Sequence, residues 1–189
     1  MNREEIKRYL QMLGQELQKK EVTGQILLAE GVVMLLDVKK PEESKDINAY
    51  LAYLKGEGPP VERRKDIDVR FGKRGAAIHE AALDIAEREG LPSDWLNDML
   101  KELFFTQSPH EKWLEYPGLR VYLAPMEYVL AMKVAAPGCS QDIEDIKILA
   151  GKLGIANTQD MFACIRKYIP EQLVIPEMRL VVEQALCLT

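Results

Sequence analysis

Two carboxylates one residue apart, Asp66 and Asp68, stand in the stretch ERRKDIDVRFGKR at positions 62–74. Read as a strand, the stretch puts alternate residues on one face, so the two acids project together with Ile67 behind them. Adjacent carboxylates repel unless a cation lies between them. Mg²⁺ or Mn²⁺, hard ions that take oxygen ligands, would satisfy such a pair. With a nucleoside triphosphate bound, a pair of this kind holds two metals, which activate an attacking oxygen and neutralise departing pyrophosphate. Arg63, Arg64 and Lys65, together with Arg70, Lys73 and Arg74, suit phosphate oxygens. Earlier in the chain ESKDIN repeats the theme with Asp46 and Asn48. The amide can ligate a metal through its carbonyl oxygen, but without charge. The plainer alternative is that these charges protect an edge strand from aggregation and pair with their basic neighbours.

The elements that must position these groups follow from periodicity and breakers. Ile6, Leu10, Leu13 and Leu17 recur at helical spacing over residues 3–20. Gly24 precedes QILLAE, a short apolar run that suits a buried strand, and VVMLLDV after Gly31 opens as a helix on the sheet. SKDINAYLAYL and KDIDVRF read as two strands joined by the breaker-rich KGEGPP at 55–60, with a short helix at NAYLAYL as the alternative. Residues 75–89 read as a helix with Ile78, Ala82 and Ile85 on one face, stopping at Gly90. LPSDWLNDMLKELF reads as a further helix capped by Ser93 or Asp94. KWLEY and LRVYLA form a strand pair about Pro117-Gly118, and helices follow at 126–135, 141–153, 158–168 and 171–186. The expected fold class is α+β: an α/β core over 1–125 and a helical C-terminal third over 126–189 packed on it as one unit.

The motif order resembles the opening of the nucleotidyltransferase fold, specifically its minimal AbiEii-like bacterial members. The residues concerned are ILLAEGVVMLL followed by ESKDIN or RRKDID; in that superfamily a strand ends in Gly-Gly or Gly-Ser, a helix follows, and the next strand carries Asp-x-Asp. GLPSDWLNDML, PGLRVYLAPMEYVLAMKVAA and QDIEDIKILAGKLGI look like later blocks of the same family, so the resemblance covers roughly residues 3–170. It implies a small mixed sheet flanked by helices, Mg²⁺ or Mn²⁺, a nucleoside triphosphate as substrate and an RNA or protein acceptor. It also implies a toxin–antitoxin or phage-defence setting with a cognate toxin or antitoxin partner. Carried over, Gly31 would let backbone amides approach the phosphates. Lys133 would stabilise charge on the leaving group, and Asp142 and Asp145 would line or brace the site.

The chain departs from the pattern at Glu30, which replaces the first glycine with a repelling side chain. From Gly31 the expected interval leads to Asp46 and Asn48, whereas the downstream interval fits Asp66 and Asp68. Three arrangements stay open: Asp66 and Asp68 as the metal pair, which is preferred; Asp46 and Asn48 as a decayed pair with a third acid from the second strand; or no surviving metal site. A catalytically inactive binding or regulatory protein on the same fold is the rival function.

The whole chain sets the outer limits. Its 189 residues suffice for one real core, and 47% hydrophobic with 29% charged residues excludes disorder as the main state. No apolar run approaches the ~20 residues that cross a bilayer, and the charged MNREEIKRYLQML lacks the pattern of a secretory signal. Cys139, Cys164 and Cys187 are odd in number and widely spaced, so a cytoplasmic setting with reduced, buried thiols is expected. His79 and His110 are the only histidines, too few for a His-rich zinc site. The net charge of −5 argues against non-specific coating of nucleic acid. Trp95 and Trp113 read as packing anchors. Lys133, in the apolar run YVLAMKVAA, either snorkels outward, pairs with Asp142 or Asp145, or meets a phosphate.

Overall fold

The structure, a computed structural model, describes residues 1–29, 31–36, 47–51, 67–97, 111–135 and 140–186, with side chains for 1–29, 31–36, 75–97, 111–135 and 142–186. Helix α1 spans Arg3–Lys19 and starts in a capping box. The Asn2 side chain accepts from the backbone N–H groups of Glu4 and Glu5, and Glu5 accepts from the Asn2 N–H at 2.8 Å. Its apolar stripe, Ile6, Leu10, Leu13 and Leu17, is wholly buried, as the spacing predicts. Burying each such side chain contributes about 1.5–3 kcal/mol.

Strands β1 (Gly24–Leu28), β2 (Ile47–Leu51), β3 (Leu96–Asn97), β4 (Glu111–Tyr116) and β5 (Leu119–Leu123) make one mixed sheet in the order β3-β2-β1-β5-β4. Central β1 runs parallel to β5 and antiparallel to β2, and β3 is parallel to β2. Alternation along β1 divides the core. Ile26 and Leu28 join α1 and helix α3 (Ile67–Glu89) on one face. Leu27 and Ala29 join the other face, built from helices α4 (Met126–Ala135), α5 (Ser140–Lys152), α6 (Thr158–Ile165) and α7 (Pro176–Ala185), while α2 (Gly31–Leu36) sends Val33 and Met34 to this face and Val32 and Leu36 to the first. The molecule is α+β, a small mixed sheet with helices on both faces and a helical C-terminal third.

Close backbone approach pins α1 across the β4–β5 turn. Gly118 has φ +82°, and a Cβ there would come within 2.4 Å of the Gly14 carbonyl oxygen. Surface charges fasten α1 to α3: Arg88 pairs with Glu16 at 2.9 Å, Lys20 with Glu80 at 3.0 Å, and Arg8 with Glu89.

Two local expectations are overturned. KDIDVRF is not a strand over its described part: Asp68 lies in the first turn of α3. A helix already formed by the alanine-rich 75–89 segment extends upstream without a new nucleation cost. The apolar spacing Ile67, Phe71, Ile78, Ala82, Ile85 shows the helical period continuing through it. The helix expected from Ser93 or Asp94 is replaced, up to Asn97, by a turn and β3. Trp95 is fully buried and donates its Nε1–H to the Ala82 carbonyl at 2.8 Å, while Leu96 and Asn97 pair with Ile47 and Asn48. Tertiary anchoring and strand pairing override local propensity there. The 171–186 helix is also divided, into a 3₁₀ turn at Glu171–Leu173 and α7.

Candidate functional site

One edge of the sheet gathers the ends that the sequence marks for phosphate and metal chemistry. Leu28 of β1 is in register with Ala49 of β2 and with Leu123 of β5. Beyond Leu28 the chain leaves β1 for α2 at Gly31, and the Ala124 N–H donates to the Leu28 carbonyl at 2.9 Å before α4 begins. Because β2 is antiparallel, its first residues, Ile47 and Asn48, lie at that same edge. There Asn48 is in register with Asn97, which sequence reading assigned to a helix and passed over. The signal for Asn97 was the turn-forming Pro92-Ser93-Asp94 just before it, where Trp95 donates its N–H to the Pro92 carbonyl at 3.0 Å.

The other named candidates are distributed differently. Asp46, Arg63, Arg64, Lys65, Asp66 and Glu30 lie outside the described residues. Asp68 sits on α3, so the alternation that would align it with Asp66 on a strand does not apply. Among the residues whose side chains are described, no group of three or more acidic, histidine or cysteine side chains is placed to hold a metal.

Lys133 forms the clearest charged constellation. It lies on α4, a helix buried almost all round, two turns beyond its start and so about 10 Å along the axis. Its Nζ lies 2.5 Å from Asp142 Oδ1 and 3.0 Å from Asp145 Oδ2. Lys133 and Asp145 are only 7% and 5% exposed. Asp142 and Asp145 are three apart on α5, one turn of helix, which is why both reach the same ammonium. Burial pulls the lysine pKa down, but hydrogen bonds to Asp142 and then Asp145, with their Coulombic attraction, outweigh it and raise the pKa above the ordinary amine value. Of the readings open for Lys133, the structure contains the ion pair, and with both acids. The arrangement clamps α4 to α5 and holds a charged amine in place.

Trp95 and Cys164 are packing groups. Trp95 stacks obliquely on Tyr9 with ring centroids 5.6 Å apart. Cys164 is buried in the core of the helical third, and burial pushes its thiol pKa up, away from a reactive thiolate. His79 is half-buried on α3; His110, Cys139 and Cys187 lie outside the described residues. No described helix is long and apolar enough to cross a membrane. No protein-family model matches the chain, and neither does a curated protein or a solved structure.

Proposed function

We propose that the chain is a nucleotidyltransferase-like protein that binds a nucleoside triphosphate with Mg²⁺ or Mn²⁺ at the edge formed by Gly31 and the start of β2. The reaction is transfer of a nucleotide to an RNA or protein acceptor, in a toxin–antitoxin or phage-defence setting. The observation that carries this reading is the Leu28–Ala49 register. It supports a strand, a helix opening at a glycine, and an antiparallel strand that begins with Ile47 and Asn48, all meeting at one edge. Asp46 and Asn48 are therefore preferred over Asp66 and Asp68 as the metal strand. Gly31 leaves room for phosphate beside the backbone, while a lone carboxylate beside an amide holds the cation more weakly than two carboxylates.

The test is label transfer from α-labelled nucleoside triphosphates to total RNA and to protein, with Mn²⁺ present. Transfer abolished by Asp46→Asn and retained in Asp66→Asn supports the reading. Transfer that survives Asp46→Asn overturns it.

A second reading, a catalytically inactive binding or regulatory protein on this fold, is favoured by the ion pairing of Lys133. Its charge is already engaged by two acids, which leaves the edge without that cation for a leaving group. That reading expects no metal-dependent triphosphate binding by calorimetry and no labelled product.

A further inference from the structure

Away from the sheet edge, the segment joining α6 to α7 closes around a cleft of about 270 Å³. Phe162, Val174 and Ile175 supply its apolar lining, and Arg166 and Arg179 also line it. Its walls are braced. Arg166 forms a two-pronged pair with Glu171, including Nη2 to Oε1 at 3.1 Å, and its guanidinium lies 5.7 Å from the centre of the Phe162 ring. Glu171 is consumed in that pair. Arg179 is exposed, and none of the ion pairs among the described residues uses it. Among the described residues, the cleft therefore keeps one arginine outside any ion pair, beside apolar surface.

The same segment concentrates exposed apolar side chains. Of the four large hydrophobic residues that stand exposed among those described, Leu173, Ile175 (47%) and Leu180 (60%) fall within 173–180. Such clustering beside a preformed cleft marks a contact surface, whereas scattered singletons do not. We infer that this cleft binds a short linear segment of a partner protein in which an acidic residue adjoins a bulky apolar one. The carboxylate pairs with Arg179 in a two-pronged geometry, and the apolar side chain fills the floor between Phe162 and Ile175. The volume suits one or two side chains and lies below that of most small-molecule sites. A nucleic-acid backbone or anionic membrane fits poorly, because a single unpaired arginine flanked on α7 by Glu177 and Glu183 can meet one carboxylate but not a run of phosphates.

The probe is an array of short peptides with a central Leu-Phe pair flanked by Asp, by Lys or by Ser, presented to the full chain. The Asp-flanked peptides are retained, and the Lys- and Ser-flanked ones are not. Arg179→Glu weakens Asp-flanked binding by about tenfold or more and turns the preference towards Lys. Ile175→Ala, which truncates the apolar floor without adding a helix cap, loses retention of the Asp-flanked peptides, with the melting temperatures of both variants unchanged. Retention of no peptide, retention indifferent to the flanking charge, or displacement of bound peptide by RNA or by anionic vesicles overturns the proposal.

Discussion

The Lys133 ammonium meets the Asp145 carboxylate at 3.0 Å across the α4–α5 contact, with both side chains almost wholly withdrawn from water. An ion taken so far out of solvent is tolerable only while its partner remains. Lys133→Ala should therefore destabilise the fold by about 3–5 kcal/mol, because it leaves the paired acids without their cation. Lys133→Met combined with Asp145→Leu should recover most of that loss. Urea unfolding of the single and double variants checks both, and an Ala variant as stable as the parent would mean that Asp142 and Asp145 are satisfied elsewhere.

The same pairing has a pH signature. Lys133 is raised above the ordinary amine value of 10.5 in the folded state. A group raised on folding contributes stability that is full below its unfolded pKa and is lost as pH rises through the folded one. Unfolding free energy should thus hold its Lys133 contribution at neutral pH and lose it in the alkaline range above 10.5. Unfolding curves of the parent and Lys133→Met should converge there, and parallel curves through that range would contradict the pairing.

Two glycines with positive φ predict unequal costs. Gly118 and Gly90 have φ of +82° and +68°, but a Cβ at Gly118 meets α1 backbone within 3 Å, whereas one at Gly90 meets nothing within 4 Å. Gly90→Ala should cost about 1–2 kcal/mol, the backbone strain alone. Gly118→Ala should cost clearly more, because α1 must move off the β4–β5 turn. Thermal melts of the two variants, compared directly, decide this.

For the sheet edge, Asn48→Asp together with Glu30→Gly should raise Mn²⁺-dependent triphosphate affinity by about tenfold or more, through an added ligand charge and the loss of a repelling one. Asp68→Asn, on the α3 helix, should leave that affinity unaltered. Titration calorimetry measures both. An unchanged affinity in the double variant would place the metal strand elsewhere or remove it.

Residue order alone determined the elements whose signals are local. The α1 stripe, the β1 run after Gly24, the Pro117-Gly118 turn and the helix over Met126–Ala135 all follow from spacing and breakers that need no distant partner. The pairing of Lys133 with the acids of α5 was among the readings its apolar context allowed. What tertiary structure decided is where long-range contacts outweigh local preference. Asp68 became helical because α3 extends upstream from a segment anchored against α1, and Leu96–Asn97 became a strand because buried Trp95 delivers it to β2. Spacing left both Asp46–Asn48 and Asp66–Asp68 open and preferred the second, since a one-dimensional pattern carries no register. Only the pairing of Leu28 with Ala49 brings Ile47 and Asn48 to the edge where Gly31 opens its helix.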